Sequence, residues 1–131
     1  MKIKTNELTG AALDWAVAKC KGWIKGDITH PKFCRLWRDQ IRTPATYPST
    51  NWAQGGPIIE REELSVEPLY TAGGLDCWQA YGHNLQYDDQ GNYIQGSDNR
   101  QYGPTPLIAA MRCYCSFKLG DEVDVPDELL K

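Results

Sequence analysis

Several features that would indicate a compartment or a class of partner are missing from this chain of 131 residues. No apolar run approaches the length of a membrane span, and the first residues, MKIKTNELTG, show no signal-peptide pattern. The 17 acidic residues outnumber the 14 lysines and arginines, and a net charge of −3 argues against binding to nucleic-acid backbones. We therefore expect a cytoplasmic protein whose partner is neither a membrane nor a nucleic-acid polymer.

The motifs of common catalytic and metal sites are also missing. There is no phosphate-binding GxxxxGK[ST] loop and no dinucleotide-binding glycine fingerprint. Cys77 has no nucleophile elbow around it, and the acidic residues occur in runs that are typical of solvated surface. Cys113 and Cys115 would lie about 200° apart on a helix, which hinders a shared zinc ion. We predict no metal site and no cofactor, and we expect binding rather than catalysis.

Cysteine is present, but it does not form a disulfide pattern. Five cysteines cannot all pair, and they occur at no regular spacing. Small secreted domains that depend on disulfides use an even number at recurring spacings. The pattern indicates reduced thiols, in agreement with a cytoplasmic protein. Because no linker or internal repeat divides the sequence, we predict a single domain over residues 1–131.

Residues 105–119 carry the strongest helix signals in the chain. Thr105 is a good N-cap, Pro106 suits the first helical position, and Gly120 follows the last apolar residue. Apolar side chains would cover more than half of the circumference, which is typical of a buried helix. Arg112 lies on the remaining narrow stripe. It is either an arginine at the edge of the core or a ligand for an anion near the helix N-terminus.

A second helix is predicted over about residues 9–21. Thr9 would cap it and Gly22 would end it. Trp15 lies nearly opposite the main apolar face, so the helix is sandwiched either inside the domain or against a second copy of the chain. From this position, and from the abundance of tyrosine and tryptophan, we predict a homo-oligomer.

The segment 47–62 is the most individual part of the sequence. Gly55, Gly56 and Pro57 are expected to break regular structure, and a strand would begin at Ile58. One interpretation is a tight turn in which Trp52 anchors the core. The other is a binding loop, in which Trp52 stacks on a base and the amides of Gly55 and Gly56 bind polar atoms.

The remaining segments predict a small, mainly antiparallel sheet. A turn followed by a strand is expected over residues 69–82, and a final strand over residues 122–125. Residues 83–102 form either a hairpin with its turn at residues 88–92 or a long loop. The predicted fold is therefore α+β, with the two main helices (about 9–21 and 105–119) packed on this sheet.

The chain resembles the NinX-like family of small proteins carried by lambdoid phages and prophages. The segments that carry the resemblance are LTGAALDWAVA, STNWAQGGPIIERE, GPTPLIAAMRCY and LGDEVDVPDEL, in this order. The resemblance implies a phage accessory protein that works in the bacterial host cytoplasm, and it implies no reaction. The family motifs map onto two segments of this chain: Trp52, Gln54, Gly55, Gly56 and Pro57 in the first, and Gly103, Thr105, Pro106 and Arg112 in the second.

These two segments are where we predict a ligand site. Its proposed residues are Asn51, Trp52, Gln54, Gly55, Gly56, Thr105 and Arg112. The first functional hypothesis is a small-molecule binder that sequesters a nucleotide-like signal of host defence. The alternative is a protein-interaction module that masks a host or phage protein, and a small hydrolase acting on a nucleotide is a further alternative. The first hypothesis needs a concave site containing Trp52 and Arg112, and the second needs an exposed apolar patch.

Overall fold

A computed structural model describes residues 1–23, 28–39, 46–82, 85–87, 89–91, 93–96 and 100–130. The described residues form the helices α1 (Gly10–Lys21), α2 (Pro31–Arg38), α3 (Trp52–Arg61) and α4 (Pro106–Leu119). Their strands are β1 (Lys2–Lys4), β2 (Ser65–Thr71), β3 (Gly74–Tyr81), β4 (Leu85–Tyr87), β5 (Tyr93–Gly96), β6 (Gln101–Gly103) and β7 (Glu122–Asp124). None of these helices is long and apolar enough to cross a membrane.

Helix α4 is the buried centre of the fold, as the sequence predicts. The hydroxyl of Thr105 accepts a hydrogen bond from the amide of Ile108 at 3.2 Å, which caps the first turn. Gly120 ends the helix with a φ of 87°, a conformation that glycine adopts without strain. Residues on almost every side of the helix are buried, from Leu107 in the first turn to Ser116 in the last full turn.

Helix α1 is sandwiched inside the domain. The side chain of Trp15 is fully buried, and its indole N–H donates to the carbonyl of Ile28 at 3.3 Å. On another side, the indole of Trp37 in α2 donates to the carbonyl of Ala11 at 2.8 Å. Trp15 is therefore covered by this chain and not by a second copy. The homo-oligomer stays a prediction, but the position of Trp15 no longer supports it.

The sheet confirms the α+β class. Strand β3 pairs antiparallel with both β2 and β6, and α4 packs on this three-stranded sheet. Gly103 of β6 permits the close approach, because a Cβ atom there would lie 2.8 Å from the amide nitrogen of Ala109. Strands β1 and β7 form a separate antiparallel pair.

Of the two interpretations of residues 83–102, the structure shows the hairpin. Strand β4 pairs with β5 in an antiparallel arrangement. The predicted turn lies only partly within the described structure, since Asp88 and Asn92 are outside the described residues.

The prediction of a loop and then a strand over residues 47–62 is wrong, because this segment forms helix α3. The side chain of Asn51 caps the helix by accepting from the amide of Ala53 at 2.9 Å. Pro57 lies inside the helix, where it removes one backbone hydrogen bond. Tertiary contacts offset that loss, since Ile58 is buried in the core. The following strand begins only at Ser65.

Candidate functional site

A groove of about 230 Å³ lies between the beginnings of α3 and α4. It is lined by Ser49, Thr50, Trp52, Thr105, Pro106, Leu107 and Ile108. We call it the Trp52 groove. The side chain of Trp52 is 57% exposed, so it does not anchor the core. The exposure of the ring excludes the interpretation in which Trp52 anchors the core, and the interpretation as a ligand site stays a prediction.

A buried carboxylate holds the turn that forms one wall of this groove. Asp14 of α1 is 2% exposed, and its carboxylate accepts from the amide of Ser49 at 2.9 Å. The amides of Thr50 and Asn51 both donate to the carbonyl of Tyr47, at 3.0 and 2.7 Å. The turn is therefore fixed at both ends, and it leads directly into the first residue of α3.

The two helix beginnings supply positive electrostatic potential to the groove. Asn51 caps α3 and Thr105 caps α4, so each side chain satisfies one amide of its first turn. Within the part of the chain that the structure describes, the amides of Trp52 and Leu107 have no acceptor. Free first-turn amides and the two helix dipoles together favour an anion.

The lining of the groove is otherwise apolar and hydroxylic. Ser49, Thr50 and Thr105 contribute hydroxyl-bearing side chains, and the other lining residues contribute the indole ring and aliphatic surface. Among the residues that line the groove there is no charged side chain and no histidine or cysteine. This surface can stack on a flat ring and donate hydrogen bonds, but its side chains include no strong general base.

Four predicted site residues belong to α3 or its cap and do not line the groove, and the first of them, Asn51, caps the helix. The side chain of Gln54 accepts a hydrogen bond from the amide of Tyr47. The amide of Gly55 donates to the carbonyl of Asn51 at 2.9 Å, so it is engaged inside the helix and does not face a ligand. Gly56 is also helical, and the nearest atom to a Cβ placed there would be in the ring of Trp52, at 3.9 Å.

Gly55 allows α3 to lie close to α4. A Cβ atom at this position would lie 2.5 Å from the carbonyl oxygen of Pro48 and 2.6 Å from Cδ2 of Leu107. Such separations are not tolerated between real atoms, so only glycine fits here without movement of the backbone. The width of the Trp52 groove therefore depends on Gly55, although Gly55 does not line it.

Arg112 lies in a different groove, of about 500 Å³, which we call the Arg112 groove. Its lining residues are Asn6, Glu7, Asp76, Cys77, Tyr102, Gly103, Pro104 and Arg112. Nε of Arg112 donates to the carbonyl of Leu8 and Nη1 to the carbonyl of Tyr102, each at 2.7 Å. Burial lowers the pKa of the guanidinium. The structure does not bring Arg112 into one site with Trp52.

Sequence reasoning missed the contribution of Asp14 to the site. The available signal was an acidic residue among the apolar residues of LDWAVA. A carboxylate on a buried helix must find hydrogen-bond donors, because burying an unpaired charge is costly. The partner could not be deduced, since Ser49 is 35 residues away along the chain.

A family model with the description "Bacteriophage P22, NinX" matches residues 4–118. The matched range contains all the residues that line the Trp52 groove and all those that line the Arg112 groove. No curated protein matches the chain.

Proposed function

The chain belongs to the family of bacteriophage P22 NinX, and from this premise we propose that it binds a small nucleotide-like molecule in the Trp52 groove. The base of the ligand stacks on Trp52, and a phosphate lies at the beginnings of α3 and α4. In a phage protein, such binding sequesters a nucleotide signal of host defence in the cytoplasm of the bacterial host.

The exposed ring of Trp52 is the observation that carries this proposal. A tryptophan that is 57% exposed leaves much of its apolar surface in water, although a core position would stabilise the fold. Stacking of a base on an aromatic side chain contributes about 1–3 kcal/mol to binding. Trp52 is the first residue of α3, so its backbone is already ordered and a ligand that stacks on it restricts only the side chain.

The size of the groove determines how much of the ligand it contacts. Pockets that enclose a drug-sized ligand have volumes of roughly 300–1,000 Å³. The Trp52 groove, at about 230 Å³, is smaller, so it accepts a base and the nearest phosphate while the rest of the ligand remains in solvent.

The lining of the groove favours binding without turnover. Hydrolysis of a nucleotide needs a positioned general base, a nucleophile or a metal ion. The groove offers hydroxyl groups, amides and apolar surface instead. A protein that sequesters a signal needs a long-lived complex and no reaction.

One observation favours the alternative, a protein-interaction module. Tyr70 and Leu75 are paired across the β2–β3 hairpin, and they are 71% and 54% exposed. An aromatic and an aliphatic side chain exposed side by side can form the centre of a contact with another protein. This surface does not include Trp52, so the two candidate functions can be separated by mutation.

Substitution of Trp52 by alanine tests the proposal. We expect Trp52→Ala to weaken the binding of a purine nucleotide by about 1–3 kcal/mol, the usual contribution of one stacked base. The melting temperature should change little, because the side chain is mostly exposed. Calorimetric titration with a panel of cyclic and ADP-ribose-type nucleotides, together with thermal unfolding, measures both quantities.

Tyr70→Ala is the matched control, because it also removes an exposed aromatic side chain but does not line the groove. It should bind the panel as the wild type does. If the wild type binds no nucleotide of the panel, the proposed function is wrong. A partner captured by the wild type and by Trp52→Ala, but lost in Tyr70→Ala, would instead support the interaction module.

A further inference from the structure

The side-chain hydroxyl of Ser49 lines the Trp52 groove and has no hydrogen-bond partner among the described residues. The residue is 2% exposed, and its backbone amide, not its hydroxyl, donates to Asp14. Buried hydroxyl groups in proteins are nearly always hydrogen-bonded, so an unpartnered one in the wall of a groove indicates a ligand atom. We propose that this atom is an oxygen of a singly charged phosphodiester, which the groove selects over a doubly charged terminal phosphate. The proposal rests on the proposed function and names its ligand class.

The other two hydroxyl groups of the groove differ from that of Ser49, because the fold already uses them. The oxygen of Thr105 accepts from the amide of Ile108 at 3.2 Å. The hydroxyl of Thr50 donates to the carbonyl of Tyr47 at 3.5 Å. Ser49 therefore provides the hydroxyl that remains for a ligand.

The groove can donate hydrogen bonds to a phosphate, but it offers no positive charge. Its donors are the hydroxyl of Ser49 and the amides of Trp52 and Leu107, which have no acceptor in the described part of the chain. Among the described residues that line the groove, none is a lysine, an arginine or a histidine. The carboxylate of Asp14 lies behind the same turn and is negative. Because the cost of removing an ion from water rises with the square of its charge, uncharged donors suit one charge better than two.

The number of charges on a phosphate depends on its ester bonds. A phosphodiester carries one negative charge at neutral pH, whereas a terminal phosphate carries mostly two, because its second pKa is about 6. Nucleotides contain diesters where one phosphate joins two sugar oxygens, in a cyclic nucleotide or between two nucleosides. The groove, at about 230 Å³, accepts a base and the nearest phosphate, and the rest of the ligand lies in solvent. The ligand class is therefore a nucleotide in which the phosphate nearest to the stacked base is a diester.

Adenosine 5′-monophosphate and its methyl ester test this selection, because they share base, sugar and phosphate and differ by one charge and one methyl group. In calorimetric titration at about pH 7.5, the methyl ester should bind the wild-type protein about tenfold more tightly than the monophosphate. At about pH 5.5 the terminal phosphate is mostly protonated to the single charge, so the affinity of the monophosphate should rise about fivefold. The methyl ester does not titrate in this range, so it reports any titration of the protein itself.

Substitutions at two positions separate the hydroxyl from the charge. Ser49→Ala should weaken the binding of the methyl ester about tenfold, the usual effect of removing a hydrogen bond to a charged group. Ser116→Ala is the matched control, because Ser116 is a buried serine of α4 that does not line the groove. Thr50 is exposed at the groove, so Thr50→Lys adds a cation there and should abolish the preference for the methyl ester. The uncharged variant Thr50→Gln should keep it.

The outcomes distinguish this proposal from the proposed function. If Trp52→Ala weakens the binding of both ligands, but the wild type binds them equally at about pH 7.5, the selection for one charge is wrong and the proposed function stands. Unchanged binding of the methyl ester by Ser49→Ala overturns the role of Ser49. If the wild type binds neither ligand, the selection is also wrong, and the nucleotide panel decides the proposed function separately. The two ligands on wild-type protein decide the selection even where a variant does not fold.

Discussion

The Trp52 groove and the Arg112 groove begin within a few residues of each other at the start of α4. They differ in whether their polar groups already form hydrogen bonds within the protein. In the Trp52 groove, the amides of Trp52 and Leu107 have no acceptor among the described residues, and the indole ring is exposed. In the Arg112 groove, the guanidinium already donates to the carbonyls of Leu8 and Tyr102.

The difference shows why a charged side chain in a groove is not by itself a ligand site. Arg112 joins the segment before α1 to strand β6, and both of its hydrogen bonds satisfy backbone carbonyls. These bonds use two of the five guanidinium N–H donors and hold the side chain against the backbone. Trp52 makes no such contribution to the fold, since its ring is mostly in water. The larger groove therefore contains an arginine that is bonded to the backbone, and the smaller groove contains an exposed aromatic ring.

A side chain that fills the space beside Gly55 should have the largest effect on both the stability of the protein and the shape of the Trp52 groove. In Gly55→Val, the new side chain would collide with the carbonyl of Pro48 and the side chain of Leu107. We expect a loss of about 3 kcal/mol in the free energy of unfolding, at the upper end of the usual cost of overpacking. The Trp52 groove should be distorted as well, so nucleotide binding should weaken. Urea unfolding and titration measure the two effects.

The neighbouring glycine is the control for this substitution. Gly56→Ala meets no atom closer than 3.9 Å, so it should preserve binding and stabilise the helix by about 0.5–1 kcal/mol. Equal destabilisation by Gly55→Val and Gly56→Ala would contradict the close packing of α3 against Pro48 and α4.

Arg112→Met should have the next largest effect, on stability alone. Methionine keeps much of the apolar stem but cannot donate to Leu8 and Tyr102, so we expect a loss of about 1.5–3 kcal/mol in the free energy of unfolding. Nucleotide affinity should stay within twofold of the wild type, because Arg112 does not line the Trp52 groove. If the variant has the stability of the wild type but binds the nucleotide weakly, Arg112 belongs to the ligand site.

Asp14→Asn should have the smallest effect. Its amide oxygen can still accept from Ser49, but the charge that strengthens this bond is lost, so we expect a loss of about 1 kcal/mol in stability. Asp39→Asn is the control, because Asp39 is exposed and pairs with Arg38 only at the surface. If the two variants have the same stability, Asp14 does not hold the wall of the Trp52 groove.

The two main helices could be predicted because their ends are encoded locally. Thr105 and Gly120 bound α4, and Gly22 ends α1. Helix α3 could not be predicted in the same way. Its sequence contains Gly55, Gly56 and Pro57, all unfavourable inside helices. The packing of Gly55 against Pro48 and Leu107 and the burial of Ile58 stabilise a helix that local preference disfavours.

The same distinction between local sequence and tertiary contacts applies to the candidate site. The sequence by itself determined the family, the α+β class and the two segments that contain Trp52 and Thr105, because composition, caps and motifs are local properties. Only the tertiary structure decided that these two residues share a groove while Arg112 lies outside it. The acceptors of Arg112 belong to Leu8 and Tyr102, and the distance from Leu8 along the chain, 104 residues, makes such a pairing invisible to local patterns.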